Sequence, residues 1–536
     1  MRKLIVFAGV LFCFGRVFAG GILTNGNQST QYVRMLSRNA STSPDAVYFN
    51  PAGLIKMDNG FYISLQSQSL FQSKTIESGF PLLHTSKFDG NLTAPVFPTA
   101  FAVYKKDRFA FSLGLGPNSG GASAEFDKGL PSFEKSVSKL VPGLAGLSKL
   151  GKNVTDYKVD IYFKGESVYW GIQGGASYKI NDKFSVYGGL RYIPASNKYS
   201  GYVKNIEVNV NGQFKNASTF LEGEVAPILT GAANNATGAA SKVQPLISGG
   251  AGSLSLAQIQ GLGKIDAATR TSLEQGLLGL GVSQAQINQM NVSQIQAAFT
   301  AGAVTLNGQA ATMVATAAIL KDKLVDVEQT GKGYTPILGL NISPVEGLNI
   351  GMKYEFKTKL TMTNQTKVDG SGLFPDKKET GSDIPSLFSI GVDYKLTNKF
   401  NLSLSYNSYH DKAVNWGNNI YGEQRTVGYN TWEVAIGGQY QWTKKFAVSA
   451  GYVHTEMGIT DKFQSDFNYI SPGDTFGCGF EWKALSRFTL DAGVLGTIYE
   501  DQHKSFNDVA FGSYSEVYKK KNIGFAIGLG YRFGGI

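Results

Sequence analysis

The sequence predicts an all-β protein, a 14-stranded antiparallel transmembrane β-barrel with an N-terminal plug in its lumen. Three observations support this prediction. Runs in which apolar and polar residues alternate recur along the chain, tight polar turns join these runs in pairs, and no long apolar segment follows residue 14. In a bilayer every backbone polar group needs an internal partner. A spanning chain without apolar helices must therefore close its strands into a barrel.

The first residues have the pattern of a secretory signal peptide, which predicts that residues 1–19 are removed on export. Arg2 and Lys3 precede an apolar stretch at 4–14, and a small residue, Ala19, stands at the expected cleavage position. The apolar stretch is shorter than the ~20 helical residues that span a bilayer. We therefore expect an exported protein in the outer membrane of a Gram-negative bacterium.

Charge and motif content argue against several other classes of protein. The formal net charge of +10 is spread along the chain, whereas a nucleic-acid-binding protein would carry its basic residues on one face or stripe. Removal of the signal peptide leaves Cys478 as the only cysteine, so no internal disulfide or cysteine metal cluster is possible. The sequence has neither a Gly-x-Ser-x-Gly nor a His-Glu-x-x-His motif. We expect no nucleic-acid partner, enzymatic activity, metal or cofactor.

Six pairs of alternating runs are each joined by a tight turn, which is the pattern of a β-hairpin. In the clearest pair, apolar residues take every second position along 168–180 and again along 184–192. The six turns lie at 105–108, 181–183, 343–347, 397–399, 443–445 and 486–487. A first strand near Phe61 and a last strand ending near Phe533 bring the number of strands to fourteen, an even number as in bacterial barrels.

The segment 20–58 precedes the first strand and does not alternate. It is polar, with a short helix-like piece around 31–38. A barrel of this size encloses a lumen wide enough to conduct water, so we expect this segment to fold inside as a plug, or hatch. Residues 59–536 then form the barrel, with short turns at the periplasmic rim and longer connections at the outer rim.

One outer connection, at about 201–332, is far longer than a barrel loop needs and is rich in Ala, Gln and Gly. It contains three starts of capping-box type, which predict short amphipathic helices: Ser255 to Gln258, Ser283 to Gln286 and Ser293 to Gln296. With the apolar stretch 140–150 of the preceding outer loop, these helices can form an apolar surface at the extracellular mouth. The alternative is a disordered surface loop.

Three short motifs occupy informative positions relative to the predicted strands. Asn-Pro-Ala-Gly-Leu at 50–54 precedes the first strand, Ala-Pro-Val-Phe-Pro-Thr at 94–99 precedes the second, and a glycine-rich stretch at 114–121 follows the third. With one oversized outer loop, they give a pattern that resembles the FadL family of outer-membrane long-chain fatty-acid and aromatic-hydrocarbon transporters. The resemblance implies a fourteen-stranded barrel, a hatch in its lumen, and a kinked strand that opens a side door.

The same resemblance implies a function. It suggests an outer-membrane channel for hydrophobic compounds, with long-chain fatty acids as the expected substrates, which cross by passive diffusion and leave the plugged barrel sideways. The expected partners are hydrophobic small molecules, outer-membrane lipids, lipopolysaccharide and the barrel assembly machinery, and we expect a monomer. Two alternatives remain open: a surface-exposed adhesin or structural protein that uses the long loop, and a general porin.

The side door would lie at the glycine-rich stretch. Gly114, Gly116 and Gly120 lack a Cβ, and Pro117 lacks the N–H that a strand ladder uses, so these residues permit a bend. The alternative is an ordinary strand end that enters a loop.

A fatty-acid headgroup would require a cation in the lumen. Alternation along the strands predicts that four basic residues face inward, namely Arg191, Lys353, Lys357 and Lys359. Lys359 lies in a stretch that resembles the one supplying a headgroup lysine in the family, and Lys198 lies where the family has a basic cluster. Alternatively, such inward charges pair structurally with neighbours such as Glu355.

The hatch requires attachment to the barrel wall. Arg34, Arg38 and Asn50 are the polar residues that we expect to hold it by hydrogen bonds, and Pro51 and Ala52 complete the Asn-Pro-Ala motif.

Overall fold

A computed structural model describes residues 22–418 and 422–533, so the predicted signal peptide lies outside the described residues. The chain divides into two compact units. The first comprises Met1–Ser138, Asp160–Val203 and Lys323–Ile536, and the second comprises Lys139–Val159 and Lys204–Asp322. The first unit is the barrel with its plug, and the second is mainly helical.

Eighteen strands form one antiparallel sheet within the described residues. They are β1 (Gly60–Ser78), β2 (Lys87–Lys106), β3 (Phe109–Phe126), β4 (Val154–Lys179), β5 (Phe184–Val210), β6 (Gln213–Asn216), β7 (Lys323–Ile342), β8 (Leu348–Glu355), β9 (Thr361–Asp369), β10 (Glu379–Gly381), β11 (Leu387–Lys395), β12 (Phe400–Tyr409), β13 (Thr431–Gln441), β14 (Phe446–Glu456), β15 (Gly473–Leu485), β16 (Phe488–Tyr499), β17 (Gln502–Asp508) and β18 (Gly512–Phe533).

The sheet closes into a barrel because β1 pairs with β18, from Phe61 opposite Phe533 to Ser78 opposite Glu516. Three barrel strands are each broken into two segments, namely β8 with β9, β10 with β11 and β16 with β17, while β6 pairs only with β5. Fourteen barrel strands result, and all six predicted tight turns join neighbouring strands. The predicted fold class is confirmed.

Alternation along the strands separates an apolar outer face from a lumen-facing side. Leu65 and Leu113 lie on the outer face and are 57% and 54% exposed, whereas Ser64 and Gln66 beside Leu65 are buried. Polar side chains such as these face the plug and form part of its surroundings. The period of two in the sequence therefore predicted the two faces correctly.

The plug consists of two short helices, α1 (Thr30–Met35) and α2 (Ala46–Phe49), and a 3-10 helix (Pro51–Lys56). Helix α1 begins where Ser29 accepts a hydrogen bond from the Tyr32 backbone N–H at 2.9 Å, a standard N-cap. All residues of α1 and α2 are buried. The plug therefore packs inside the barrel, as predicted.

A row of glycines on the inner face of the barrel makes room for the plug. Gly437 on β13 and Gly451 on β14 face the backbone oxygen of Met35, and a Cβ on either glycine would overlap with that atom. Three further glycines lie against the plug in the same way: Gly391 on β11, Gly477 on β15 and Gly493 on β16. Close backbone approach is a common reason for glycine inside a strand.

The connection between β14 and β15 also fills the lumen. Its residues 463–472 are all buried. Phe467 and Tyr469 belong to a large apolar cluster that includes Leu70 and Ile76 of β1 and Phe88 of β2. The lumen of the described barrel is therefore occupied by both the plug and this inward-folded connection.

The helices outside the plug are α3 (Pro131–Ser138) in the first unit and, in the second, α4 (Leu140–Gly143), α5 (Ala217–Phe220), α6 (Ala226–Leu246), α7 (Leu256–Gly261), α8 (Ala267–Gly279), α9 (Gln284–Gln289) and α10 (Val292–Ile319), with short 3-10 and π segments at Ala145–Leu150, Leu221–Val225 and Ile247–Ala251. Among the described residues, every helix is too short or too polar to cross a membrane.

The second unit has an apolar core of its own, in which Ile259, Leu277, Ile287, Ile295 and Phe299 are almost fully buried. The disordered-loop alternative for this region is therefore wrong, and the helical prediction is confirmed. The predicted bounds of the connection, 201–332, were too wide because β5 continues to Val210 and β7 begins at Lys323.

Two of the three predicted capping boxes form, with Ser255 and Ser283 as N-caps. The third prediction, Ser293 with Gln296, is wrong, because the N-cap of α10 is Asn291 with Gln294. The backbone N–H of Ser293 donates instead to the Gly252 carbonyl oxygen at 3.0 Å.

Candidate functional site

The wall of the barrel is interrupted between β2 and β3. Their pairing runs from Lys106 opposite Phe109 to Ala100 opposite Leu115, and resumes only at Thr93 opposite Ser123. Residues 116–120 of β3 are all buried, whereas a regular strand of this barrel would bury every second residue. The strand therefore bends into the lumen and leaves a gap in the ladder.

The residues predicted to permit the bend meet at this gap. Gly120 has a φ of +67°, a conformation that favours glycine, and Pro117 contributes no N–H to the ladder. A Cβ on Gly116 would lie 2.8 Å from the Thr99 Cγ2 and 2.9 Å from the Gln28 Oε1, and one on Gly114 would lie 3.0 Å from the Val47 Cγ1. The bent strand thus lies in direct contact with the plug.

The first residues of the plug supply hydrogen bonds to the bent strand. The Asn25 Nδ2 donates to the carbonyl oxygens of Pro117 at 3.0 Å and Gly120 at 2.9 Å, and the Gln28 Nε2 donates to Pro117 at 2.9 Å. The Asn25 backbone N–H also donates to the Asn118 carbonyl oxygen at 2.9 Å. These carbonyl oxygens have no partner on β2, so the plug replaces the missing ladder. We refer to Asn25 and Gln28 as the amide clasp.

A narrow cavity, with free room for little more than a water molecule, lies beside the gap. Its lining comes from the plug and strands β2 to β5, with contributions from Gln28, Val47, Tyr48, Phe101, Gly114, Leu115, Gly116, Asn118, Gly171, Gln173 and Arg191. Leu115 is also 42% exposed and lies at the end of the paired stretch. The plug, the bent strand and the cavity therefore share one small region.

Arg191 faces this cavity, as alternation predicted. Its guanidinium makes two hydrogen bonds to Glu355, at 2.6 and 3.0 Å, and further ones to Gln173 and Asn118. Lys353 donates to the same Glu355 carboxylate at 2.6 Å and to the Tyr48 carbonyl oxygen at 2.7 Å. Two cations thus share one carboxylate, which leaves the cluster with one excess positive charge.

The other three predicted headgroup cations lie elsewhere. Lys359 is exposed, and its neighbours Thr358 and Leu360 are the buried ones, so its predicted inward orientation is wrong. The cause is the interruption between β8 and β9, which resets the alternation. Lys357, within that interruption, is 41% exposed and pairs with Asp383 at 2.9 Å.

Lys198 is exposed on β5, between the buried residues Asn197 and Tyr199. Strand β5 pairs with β7 without a bulge from Phe184 to Val203, so its alternation continues unbroken through Pro194. Lys198 therefore lies on the outer face and does not line the lumen.

Arg34 ties the plug to the opposite side of the barrel. Its Nε donates to Asp491 at 3.0 Å, and its other nitrogens donate to Gln439 at 2.6 Å, Ser449 at 2.8 Å and Glu481 at 3.3 Å. The sequence analysis did not single out Asp491, although alternation along β16 places this acid inside the lumen. The sequence signal that could have identified Asp491 is an acidic residue at an inward-facing strand position, where it can pair with an arginine of the plug.

The Asn-Pro-Ala motif contacts a third part of the wall. The Asn50 Nδ2 donates to the Asn341 Oδ1 at 2.8 Å, and the hydroxyl groups of Ser177 and Ser185 donate to the carbonyl oxygens of Pro51 at 2.7 Å and Ala52 at 2.8 Å. In two of these three contacts, a backbone oxygen of the plug accepts the hydrogen bond.

Arg38 makes its hydrogen bonds within the plug, so the prediction that it holds the hatch to the barrel wall is wrong. Its Nε and Nη2 both donate to the Asp45 carboxylate at 2.8 Å. Burial alone would raise the pKa of Asp45, but the Arg38 guanidinium and the hydrogen bonds from Ser41 and Ser43 outweigh burial and lower it below the usual value. This ion pair holds the two halves of the plug together.

Among residues 22–418 and 422–533, no group of three or more His, Cys, Asp or Glu side chains is arranged to hold a metal ion. The single described cysteine, Cys478, is exposed on β15.

The comparison with known families agrees with this architecture. Residues 273–533 match the model of a family described as outer membrane protein transport protein (OMPP1/FadL/TodX). This match covers just under half of the chain, at its C-terminal end. No curated protein sequence matches the chain.

Two crystal structures have a similar fold over nearly the whole chain. One is a FadL homologue from Pseudomonas aeruginosa, which is 15% identical with a TM-score of 0.56; the match covers 96% of this chain and 100% of that one. The other is the toluene transporter TodX from Pseudomonas putida, 12% identical with a TM-score of 0.50, covering 97% and 100%. The FadL/TodX resemblance predicted from the sequence motifs is confirmed.

Proposed function

We propose that this protein is an outer-membrane channel of Gram-negative bacteria for hydrophobic compounds, with long-chain fatty acids as its main substrates. The compound diffuses passively into the cavity and leaves sideways through the gap between β2 and β3. The observation that carries this proposal is the meeting of the amide clasp, the bent strand and the cavity at residues 116–120. The family description concerns transport, and we propose no enzymatic activity.

The physical problem of such transport is that a watery pore offers an alkyl chain no favourable contact. Each methylene removed from water contributes ~0.8 kcal/mol, so the route has to be lined by apolar surface. A lumen filled by the plug and by residues 463–472 suits this task, and it argues against a general porin, which needs an open aqueous channel.

The excess positive charge beside the cavity supports fatty acids over neutral hydrocarbons. Arg191 and Lys353 share the single carboxylate of Glu355, so a substrate carboxylate would complete the charge balance. One similar structure is that of a toluene transporter, and aromatic hydrocarbons are therefore the alternative substrates.

Gly120→Val tests the sideways exit. Gly120 has a positive φ, and a Cβ there would overlap with the Ser167 backbone oxygen, so the variant cannot keep the bend. Cells that lack their own uptake channel and produce this variant should lose most of the labelled oleate uptake that the unaltered protein gives. Gly174→Val is the matched control, because a Cβ at Gly174 meets no atom within 4 Å.

Unchanged oleate uptake by a correctly assembled Gly120→Val barrel would contradict the sideways exit. Passage of small sugars without uptake of oleate or toluene by the unaltered protein would instead favour a porin.

A second candidate function is adhesion, which is favoured by the separate packed core of the second unit. Deletion of residues 225–320 separates the two candidates, because it ends before β7 begins at Lys323. Loss of cell-surface attachment with intact oleate uptake would assign attachment to the helical unit and transport to the barrel.

A further inference from the structure

Two lysines inside the barrel lie opposite each other on neighbouring strands. Lys74 of β1 pairs in register with Lys520 of β18, and both side chains face the lumen, with only 3% and 6% of their surface exposed. They lie towards the end of the barrel opposite the short turns, since β1 begins at Gly60 beside the turn at 105–108. Like charges directly opposite each other in a sheet repel, so this arrangement is costly unless something compensates it.

Neither ammonium group has a hydrogen-bond acceptor or an acidic partner in the part of the chain that the structure describes. Within that described part, every other lysine buried to this degree on the barrel wall has one. Lys353 pairs with Glu355, Lys504 donates to the Gln464 carbonyl oxygen, and Lys105 donates to the Asp107 carbonyl oxygen. Close by, the Gln72 side chain is buried on the same face of β1, and neither of its polar atoms has a hydrogen-bond partner. Buried polar groups normally have partners, and an unpaired charge is especially costly.

An aromatic ring is the contact shared by the two lysines. The Lys74 Nζ lies 4.7 Å and the Lys520 Nζ 5.4 Å from the centre of the Tyr469 ring, and the Lys520 Nζ lies 5.3 Å from the Tyr499 ring. Tyr469 belongs to the inward-folded connection between β14 and β15. The Tyr469 hydroxyl also donates to the Lys519 carbonyl oxygen at 2.9 Å. Cation–π contacts are weaker than charge-assisted hydrogen bonds, so a carboxylate would be a stronger partner for both ammonium groups.

Apolar side chains surround the pair of lysines. Along the inner face of β1, Leu70 and Ile76 flank Gln72 and Lys74, and both belong to the large apolar cluster that also contains Phe88 and Tyr518. The surroundings thus offer two cations within an otherwise apolar part of the lumen, which matches a molecule with an anionic head and an alkyl tail.

We propose that Lys74 and Lys520 together bind the carboxylate of an alkyl carboxylate, whose chain lies against the apolar cluster of Leu70, Ile76 and Phe88. The carboxylate displaces the Tyr469 ring and accepts hydrogen bonds from both ammonium groups. This site is separate from the Arg191 cluster, in which two cations share the single carboxylate of Glu355. A neutral hydrocarbon would gain nothing from the lysine pair, so the site selects acids. The proposal rests on the proposed transport function and specifies its substrate class.

Photolabelling of the purified full chain in detergent tests this site. The probes are a palmitate analogue with a diazirine next to its carboxyl end and the corresponding hexadecanol analogue. We expect the acid to label peptides from β1, β18 and residues 463–472, and to label them far more strongly than the alcohol does. This comparison requires no variant and so does not depend on the folding of an altered chain.

Lys74→Met with Lys520→Met should reduce acid labelling of these peptides by at least about tenfold, since hydrogen bonds to a charged group are lost. Lys74→Arg with Lys520→Arg should retain it. Lys198→Met with Lys359→Met is the matched control, because it removes the same charge from the outer face and should change nothing.

Equal labelling by acid and alcohol, or full acid labelling of the folded methionine pair, would overturn the proposal. The transport function is tested separately. If cells take up oleate normally but acid labelling does not depend on Lys74 and Lys520, the proposed site is wrong and the transport function is unaffected. If labelling depends on the lysines but the protein transports neither oleate nor toluene, the transport function fails and the site remains.

Discussion

Two of the attachments between the plug and the barrel wall differ in kind. Towards β13 to β16, helix α1 lies against a row of glycines, and Arg34 forms ion pairs with Asp491 and Glu481. Towards β3, the amide clasp makes only neutral hydrogen bonds from Asn25 and Gln28 to backbone oxygens. Hydrogen bonds to charged groups contribute about 1.5–3 kcal/mol and neutral ones about 0.5–1.5 kcal/mol. The plug therefore has a firmly held side and a weakly held side.

The weakly held side is the one that faces the gap in the wall. A plug that released both sides at once would open a wide aqueous pore, whereas release of the clasp alone would free the bent strand and leave α1 in place. This difference indicates how a filled lumen can pass a hydrophobic molecule without becoming a porin. Three substitutions test it, beginning with the firmly held side.

Arg34→Met should have the largest effect. It leaves the Asp491 and Glu481 carboxylates without their plug cation, and removal of one partner from a buried ion pair costs about 3–5 kcal/mol. The Gln31 side chain still donates to Asp491, so we expect the lower end, about 3 kcal/mol. Hydrogen exchange of the backbone amides of residues 30–36 in detergent measures this loss.

The double variant Arg34→Met with Asp491→Asn supplies the control for that experiment. It removes one of the uncompensated charges, so it should recover part of the protection. If the single variant exchanges as slowly as the unaltered protein, the firmly held side does not depend on this ion pair.

Gly451→Ala should have an intermediate effect. The added methyl group would overlap with the Met35 backbone oxygen, and overpacking of this kind costs about 1–3 kcal/mol. We expect increased single-channel conductance, because α1 no longer fits against β14. Gly174→Ala, on the open outer side of β4, should keep the conductance low. Equal conductance in the two variants would show that the glycine row has no steric role in holding the plug.

Local periodicity explains which parts of the molecule were predictable. The strands, the six tight turns and the inward position of Arg191 all follow from alternation over a few residues, and the sequence alone was sufficient for them. The orientation of Lys359 was not predictable in this way, because the break between β8 and β9 resets the period. The alternation of apolar and polar residues does not indicate where a strand is interrupted.

Contacts between distant residues explain the rest. The amide clasp bonds to backbone oxygens about ninety positions away, and backbone oxygens are present at every residue, so no motif marks them. The start of α10 illustrates the same limit. Asn291 with Gln294 and Ser293 with Gln296 both have the spacing of a capping box, and tertiary hydrogen bonds to Gly252 and Leu254 select the first.

Asn25→Ala, on the weakly held side, should have the smallest effect on stability. It removes two neutral hydrogen bonds to Pro117 and Gly120, for a loss of about 1–2 kcal/mol. Amides of residues 22–28 should then exchange about tenfold faster, since 1.4 kcal/mol corresponds to a factor of ten, while those of residues 30–36 stay protected. Asn39→Ala is the matched control, because the Asn39 amide donates to the Ile390 and Tyr406 carbonyl oxygens on β11 and β12, away from the bent strand. It should leave residues 22–28 unaffected. Faster exchange of both segments after Asn25→Ala would mean that the plug moves as one body. Sideways release would then require the whole plug to leave its position in the lumen.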